Sequence, residues 1–361
     1  MRVTIFSAFD TVLNPYILLF KETLERQGLE VHLEREFNLK WLLSKGKSCD
    51  CIHLHWIKYS YSPPKNNDKS KFLKKLIEIR IVRIFLDLLC LIEFALTFLF
   101  GKLTGKTIVF TVHDLFKSGK QSLRGGMQVR MARYVVFLLS DSIHVHNHHS
   151  RKLIRAIYKR KNGISVIPHG NYIGCYPNQI SKTEARLRLG LPGEAFVYLF
   201  MGLLRPYKGL EDLFDAFETV EWPGARLLVA GRVFGVDGYE SRLLDLTRCN
   251  SRIMLVPEFI ADEAIQIYMN ACDVFVLPYK DITTSGAAAL ALSFGRPIIA
   301  PAITSFPEVI TSEAGILYDT SQPNGLVSAL QDARTRSWSE SKIFDYAHQF
   351  DWDKLGPQLA A

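Results

Sequence analysis

The sequence predicts an α/β fold of two doubly wound, Rossmann-like domains with a cleft between them. Short apolar runs rich in β-branched and aromatic residues alternate with stretches whose apolar residues recur at helical spacing. This alternation is typical of parallel sheets covered by helices. The 361 residues are enough for two domains, each with its own core. The charge also changes sign along the chain: residues 1–180 carry 28 Lys and Arg against 13 Asp and Glu, net +15, whereas residues 181–361 carry 16 against 23, net −7.

The first half opens with a predicted strand at residues 2–7. A helix follows from Pro15, a residue suited to a first helical turn, to the neighbourhood of Gly28. Further strands are predicted at residues 31–33, 51–55, 107–112, 142–145 and 164–167, with helical stretches between most of them.

The segment 69–102 has a basic start and an almost wholly apolar continuation. Lys71, Lys74 and Lys75 belong to its basic part, and its apolar run covers residues 84–100. That run is shorter than the roughly 20 residues a membrane-spanning helix needs, and Asp87 and Glu93 interrupt it. Two interpretations stay open: a buried helix of the first domain, or an amphipathic helix lying in a membrane interface.

The domain boundary is predicted near residue 168, where a loop precedes the capping box Ser181–Glu184 and the charge balance changes. We therefore expect a first domain over 1–168, a second domain over 169–340, and a C-terminal helix over 341–361 that packs back toward the first domain. Strands of the second half are predicted at residues 196–201, 226–230, 253–256, 273–277 and 297–300.

A basic turn follows the first strand of the second half. Arg205 and Lys208 stand between the apolar run 196–201 and a helix that begins after Gly209. The end of a buried parallel strand next to a helix N-terminus is suited to holding an anion, most plausibly a phosphate. Taken alone, the two cations favour an ordinary solvated turn, since short basic turns are common.

A second candidate anion site is the stretch 278–286, between an apolar strand and an alanine-rich helix. Backbone N–H groups and hydroxyls would converge there, with Thr284 or Ser285 as the helix cap. The candidate binding residues of this stretch are Asp281, Thr283, Thr284, Ser285 and Gly286.

In the first half, His113 and Asp114 end a predicted strand and are candidate catalytic residues, with Asp10 as a possible neighbour. His113 has three open roles: general base, ligand for a hydroxyl, or structural residue. Further candidate site residues are Asn14, His55 and His169. The histidines at 144, 146, 148 and 149 have no Cys or Glu partner at metal-like spacing, so no metal site is predicted.

The six cysteines lack metal-type or secreted-domain spacing, and the N-terminus starts directly as a strand. Both features indicate a cytoplasmic protein. The basic first half favours an anionic membrane surface as a partner, and we see no nucleic-acid recognition motif.

Six ordered motifs resemble the nucleotide-sugar glycosyltransferases of the GT-B fold, in particular family 4 and its bacterial exopolysaccharide and lipid-linked oligosaccharide relatives. The motifs are TVHD (111–114), IPHG (167–170), GLLRPYKG (202–209), AGR (230–232), ACDVFVLP (271–278) and FGRPIIA (294–300). The resemblance implies an acceptor-binding domain over 1–168 and a nucleotide-sugar-binding domain over 169–340. It implies that Arg205 and Lys208 bind the donor diphosphate, that the candidate residues of 281–286 belong to the donor site, and that His113 faces the donor sugar. Asn14, His55 and His169 are then expected on the acceptor side. The resemblance also implies two glutamates separated by seven residues, one for the sugar and one for the ribose, where this chain has Ile282 and Leu290.

The resulting expectation is a hexosyltransferase that moves a sugar from GDP-mannose or a UDP-sugar to a lipid-linked saccharide in polysaccharide biosynthesis. It would act at the inner face of the plasma membrane, without a metal or another cofactor, since cations and the 284–286 helix start can stabilise the leaving diphosphate. The alternatives are an epimerase or hydrolase of sugar nucleotides with the same fold, and a non-catalytic scaffold that binds nucleotide sugars.

Overall fold

The described residues of the computed structural model, 1–7, 15–56, 80–115 and 127–361, divide into two α/β units. The first unit comprises residues 1–168 and 352–361, and the second comprises residues 169–351. Each unit contains a parallel sheet of six strands. The predicted fold class, two doubly wound Rossmann-like domains, is confirmed.

The sheet of the first unit has the strand order β2-β1-β3-β4-β5-β6. Its strands are β1 (Arg2–Ser7), β2 (Glu30–Glu34), β3 (Cys51–His55), β4 (Thr107–Val112), β5 (Ser142–Val145) and β6 (Ile164–Val166). Its helices before residue 168 are α1 (Tyr16–Arg26), α2 (Leu39–Leu43), α3 (Arg80–Leu103), α4 (Met127–Leu139) and α5 (His148–Tyr158).

Both faces of this sheet are covered by apolar side chains, as the alternation along β1 illustrates. Ile5 packs in a cluster with Phe20 of α1. The next residue, Phe6, points to the opposite face, where its ring centroid lies 4.6 Å from that of Trp41. Burial on both faces is what a parallel sheet covered by helices requires.

The sheet of the second unit has the order β12-β11-β10-β7-β8-β9. Its strands are β7 (Phe196–Met201), β8 (Ala225–Ala230), β9 (Ile253–Val256), β10 (Val274–Val276), β11 (Ile298–Pro301) and β12 (Gly315–Tyr318). Its helices are α6 (Lys182–Arg188), α7 (Leu210–Glu218), α8 (Tyr239–Thr247), α9 (Asp262–Ala271), α10 (Gly286–Ser293), α11 (Phe306–Val309), α12 (Gly325–Thr335) and α13 (Glu340–Ala347). The strand β12 was not predicted from the sequence.

The C-terminal stretch 341–361 contains two helices where the sequence predicted one, and the last of them does pack in the first unit as expected. Helix α13 belongs to the second unit, and α14 (Trp352–Ala360) belongs to the first, where it packs on α1. The chain leaves the helical conformation at Asp351, whose carboxylate accepts hydrogen bonds from Asn171 Nδ2 at 2.6 Å and from the His348 ring at 3.0 Å. Those two bonds hold the break between the helices.

Helix α3 buries only one of its faces, so the interpretation as a buried core helix holds for that face alone. Leu91, Phe94 and Phe98 are buried in the core of the first unit. The residues 84–103 are long and apolar enough to cross a membrane by length and composition, with 28% of that stretch buried. We call the solvent-exposed apolar side chains of α3 and α4 the outer α3–α4 surface: Ile84, Phe85, Leu88, Leu89, Ile92, Leu96, Leu99, Phe100, Leu103, Met127, Met131, Tyr134 and Leu138.

Candidate active site

The basic turn after β7 is held in place by backbone contacts to the end of β10. Residues 206–208 form a single 3-10 turn, and Gly209 follows with φ at +71°. A Cβ at Gly209 would lie 2.0 Å from the carbonyl oxygen of Pro278, so only glycine fits there. The Lys280 N–H donates to the Tyr207 carbonyl at 2.9 Å. Both predicted anion-binding stretches of the second unit therefore meet at one edge of its sheet.

Lys208 lies over the ring of a buried tyrosine. Its Nζ is 3.5 Å from the centroid of Tyr279, a cation–π contact at close range. Tyr279 is 2% exposed, and burial raises the pKa of its hydroxyl, which is hydrogen-bonded to the Ser285 side chain. Tyr279 thus connects the ammonium of Lys208 to the start of α10.

Arg205 shares the ring of Phe234 with a second arginine that the sequence analysis did not include in the site. The guanidinium carbons of Arg205 and Arg232 are 4.9 and 5.7 Å from the ring centroid of Phe234. The loops after β7 and β8 are joined by a parallel bridge between Leu204 and Val233. Arg205 Nε is buried and has no hydrogen-bond partner among the described residues. A permanent cation that has a buried N–H donor without a hydrogen-bond partner favours binding of an anion.

The start of α10 has the capping geometry that the sequence predicted. Ser285 is the N-cap, and its side chain accepts a hydrogen bond from the Ala288 N–H at 3.2 Å. The Thr284 hydroxyl is buried and has no partner among the described residues. Asp281 and Thr283 lie on the loop before the cap and are partly exposed.

His169, predicted on the acceptor side with His55, lies in the second unit beside the start of α10. A Cβ built on Gly286 would be 3.3 Å from the Tyr172 hydroxyl and 3.8 Å from His169 Nε2. His169 Nδ1 is 2.7 Å from the Gly170 carbonyl oxygen, and burial lowers the pKa of its ring to about 4. The ring is therefore neutral at physiological pH, and it adjoins the predicted donor-binding residues.

In the first unit, His113 lies just beyond the end of β4 and contacts the side chains of His55 and Trp56. Its Nε2 is 2.9 Å from Nδ1 of His55, and its ring stacks on Trp56 with centroids 3.8 Å apart. Asp114 is exposed. The remaining predicted residues of this half, Asp10 and Asn14, lie outside the described residues.

Three more histidines surround the His55–His113 pair. The buried imidazoles of this cluster are His53, His55, His113, His144 and His146. Burial holds the pKa of His53 and His55 well below the ordinary value and lowers that of His144 to about 4. Among the described residues no group of three His, Cys, Asp or Glu side chains is placed to hold a metal ion.

Comparison with known proteins relates this architecture to sugar transfer. Residues 195–335 match the family model described as "Glycosyl transferases group 1". The GDP-mannose:glycolipid 4-beta-D-mannosyltransferase of Xanthomonas campestris pv. campestris is 28% identical over 313 residues, 85% of this chain and 77% of that one. The D-inositol 3-phosphate glycosyltransferase of Corynebacterium efficiens is 27% identical over 213 residues, 55% of this chain and 50% of that one.

Solved structures extend the likeness over both units. HepE of Anabaena, in complex with UDP-glucose, matches with a TM-score of 0.74 at 17% identity, over 100% of this chain and 98% of that one. Sucrose-phosphate synthase of Thermosynechococcus elongatus matches with a TM-score of 0.70 at 19% identity, over 99% and 97% of the two chains. This protein is a glycosyltransferase with the GT-B fold.

This glycosyltransferase carries apolar residues where the resemblance to family 4 implies two glutamates. Ile282 is 8% exposed and belongs to the core of the second unit, and Leu290 packs against that core. Neither side chain can accept a hydrogen bond from a hydroxyl group. In the stretch 281–290, the carboxylate of Asp281 is the strongest acceptor available.

Three residues of the glycosyltransferase's candidate site escaped the sequence analysis: Arg232, Phe234 and Tyr279. A signal existed for Arg232, which follows β8 as Arg205 follows β7. Neighbouring parallel strands end at the same edge of the sheet. Once the strand order is known, the sequence therefore places the two cations that follow β7 and β8 at the same edge.

Proposed function

We propose that this glycosyltransferase moves mannose from GDP-mannose to a hydroxyl of a lipid-linked saccharide. The observation that carries the donor site is the meeting of Arg205, Arg232 and Lys208 at the carboxyl edge of the second sheet, next to the capped start of α10. The choice of mannose is supported by the similarity to the Xanthomonas mannosyltransferase, which extends over 85% of this chain.

The proposed role of this edge is to stabilise the diphosphate as it leaves. The three cations oppose the charge that develops on the phosphate oxygens, and the N–H groups at the start of α10 add donors. Arginine suits this task because its planar guanidinium binds phosphate oxygens in pairs. With three protein cations at the leaving group, the proposed reaction needs no metal ion.

The proposed acceptor is a glycolipid, and the outer α3–α4 surface supports this choice. Contiguous exposed apolar side chains on a helix mark an interaction site. The exposed side chains at 85, 89, 92, 96 and 99 recur at helical spacing and form a stripe along α3. In the sequence this helix is preceded by the cations Lys69, Lys71, Lys74 and Lys75. An apolar stripe next to a basic segment fits the interface of an anionic membrane, so the enzyme is proposed to act on the cytoplasmic membrane surface.

A transfer assay with membrane lipids tests the proposal. The protein is incubated with labelled GDP-mannose, UDP-glucose or UDP-galactose and a bacterial membrane lipid extract, and the lipid and aqueous phases are then separated. We expect label in the lipid phase from GDP-mannose. Label in lipid only from a UDP-sugar would replace the donor, whereas free sugar or an epimer without labelled lipid would indicate a hydrolase or epimerase. Donor binding without any turnover would indicate a scaffold.

A further inference from the structure

The rings of His55 and His113 form a buried pair at the edge of the first sheet. In the register of β3 and β4, His55 stands opposite Thr111, two residues before His113. His55 Nδ1 and His113 Nε2 are 2.9 Å apart, and the two residues are 1% and 8% exposed. At that distance one nitrogen carries a hydrogen and donates it, and the other accepts.

The two possible arrangements differ in what they leave unpaired. If His113 Nε2–H donates to His55 Nδ1, the neutral His55 ring carries its own hydrogen on Nε2. That atom is buried and has no partner among the described residues, so an N–H donor would be orphaned. If His55 Nδ1–H donates instead, His55 Nε2 is an unpaired acceptor. Orphaned buried N–H groups are the rarer of the two in proteins.

We propose that His55 is a positioning residue: it donates Nδ1–H to His113 Nε2 and so fixes His113 as the tautomer that carries its proton on Nδ1. Burial supports a neutral His55, because it holds the pKa of this ring well below its ordinary value. The tautomer of a histidine is commonly set in this way, by the bond that its other nitrogen makes.

The surroundings of His113 fix the orientation of its ring as well. The Trp56 indole stacks on one face with an interplanar angle of 15°, and Tyr16 meets the ring edge-on with centroids 4.9 Å apart. His146 lies 5.2 Å away, centroid to centroid. Trp56 has φ at +45°, a left-handed conformation that is costly for a residue with a Cβ. Such strain is typical of functional sites, where the surrounding structure maintains it.

The consequence for catalysis rests on the proposed function. A neutral His113 whose Nε2 lone pair already accepts a hydrogen bond, and whose Nδ1 carries a proton, has no lone pair with which to remove a proton from an acceptor hydroxyl. His113 is then a hydrogen-bond donor, and an inverting transfer would have to take its base from another group, with the adjacent Asp114 as the first candidate. Of the three roles that the sequence left open for His113, this arrangement excludes that of general base.

The tautomer can be measured on the intact chain without any activity. Long-range ¹H–¹⁵N correlation spectra of uniformly ¹⁵N-labelled protein at pH 7.5 distinguish protonated from unprotonated ring nitrogens, and the spectrum of His113→Asn identifies the His113 signals by their loss. We expect Nδ1 of His113 to be protonated and Nε2 to be unprotonated. A proton on His113 Nε2, in a neutral or a doubly protonated ring, would overturn the proposal.

Substitutions of His55 test the positioning role against a merely structural one. In His55→Asn the side-chain amide can still donate from about the position of Nδ1, whereas His55→Leu removes the donor. His53→Gln is the matched control, because His53 is buried on the same strand but its Nε2 bonds the Thr111 hydroxyl at 2.8 Å. We expect the Nδ1 tautomer to persist in His55→Asn and His53→Gln, and to give way to Nε2–H or a mixture in His55→Leu.

Kinetics of the same variants separate this inference from the proposed function. We expect kcat/KM to fall about fivefold to tenfold in His55→Leu, the effect of roughly one hydrogen bond, and to recover in His55→Asn. An unchanged His113 tautomer in His55→Leu contradicts the inference even if the enzyme transfers mannose as proposed. Conversely, a protein without transferase activity leaves the NMR result intact.

Discussion

The two sheets are alike in fold, but the side chains at their carboxyl edges differ in charge. In the second unit, Arg205, Arg232 and Lys208 place permanent cations around aromatic rings. In the first unit, buried imidazoles occupy the corresponding strand ends, and burial keeps the rings of His53 and His55 neutral. The strongly basic first half thus has neutral imidazoles at these strand ends, and the acidic second half carries the cationic edge. Net charge of a domain is a poor guide to the charge of its site.

The largest expected effect is the acid sensitivity of the first unit. An unfolded histidine has a pKa of about 6.5, whereas His53 and His55 are well below that value in the fold and His144 is at about 4. Below pH 6.5 the unfolded chain therefore binds protons that the folded unit does not. The free energy of unfolding should fall as pH drops from 6.5 toward 4, by about 1.4 kcal/mol per histidine and pH unit.

Amide hydrogen exchange at pH 7.5 and 5.5, corrected for intrinsic rates, can follow each unit separately. We expect β3 to β5 to lose more protection than β7 to β10, because the lowered pKa values of His53, His55 and His144 belong to the first unit and that of His169 to the second. The variant His53→Gln keeps a partner for Thr111 but does not titrate, so it should reduce the loss by about a third. Equal losses of protection in both units would contradict the predicted difference in acid sensitivity.

Membrane binding is the next largest effect. It tests which cations of the basic first half interact with an anionic membrane. Replacing Lys71, Lys74 and Lys75 by Gln should weaken binding to anionic vesicles by about 1 kcal/mol per charge. Replacing Lys152, Lys159 and Lys161 makes the same charge change elsewhere in that half and should leave binding nearly unchanged. Cosedimentation with vesicles of one-third phosphatidylserine measures both. Equal losses would indicate a general charge effect without a role for the α3 region.

Arg232→Ala tests whether the cationic edge includes a residue that sequence reasoning missed. A charge-assisted hydrogen bond to phosphate contributes about 1.5–3 kcal/mol, so the affinity for both GDP-mannose and GDP should fall at least about tenfold. Arg226→Ala is the control, because the Arg226 guanidinium bonds the carbonyl oxygens of Pro223 and Ala225. Because Arg205 and Arg232 adjoin the same ring, the double variant should lose less than the sum of the two single losses. Unchanged GDP affinity in Arg232→Ala would exclude this arginine from the site.

Asp281→Asn should have the smallest and most selective effect. Asp281 is the strongest hydrogen-bond acceptor left where two glutamates are replaced by Ile282 and Leu290. We expect a loss of about 0.5–1.5 kcal/mol in affinity for the nucleotide sugar and none for the nucleoside diphosphate, because only the former offers sugar hydroxyls. Competition binding with the two ligands distinguishes these results. Normal binding and turnover of the nucleotide sugar would make Asp281 a solvated loop residue and direct attention to Glu308.

The fold was predictable because the periodicity of apolar residues is a property of residues that are near one another in the sequence. Strands such as β1, β3, β4 and β7 begin and end where their apolar runs do. The break near Asp351 was not predictable, since it depends on Asn171, which is remote in sequence. The short strand β12 also went unrecognised: its pattern is too brief to distinguish from a loop, and its pairing with β11 defines it.

The candidate site was predictable only as separate stretches. The turn at Arg205 and Lys208 and the cap at Ser285 each have a local signature. Contacts between stretches do not: Lys208 over Tyr279, Arg232 beside Arg205, and His55 against His113 all depend on which strands are neighbours in the sheets. The strand order therefore added most of the chemistry that the sequence had left unconnected.

The central claim, that the edge of the second sheet holds the donor diphosphate, is tested most directly by isothermal titration calorimetry with GDP-mannose. The titrations compare the unmodified protein, Lys208→Ala and Lys280→Ala, two single-charge changes on adjoining segments. Lys280 is exposed and pairs with Asp212 at 2.9 Å, so its loss should not affect the donor. We predict at least a tenfold weaker Kd for Lys208→Ala, with little change in Tm, and an unchanged Kd for Lys280→Ala. A folded Lys208→Ala variant that binds GDP-mannose as tightly as the unmodified protein would contradict the claim.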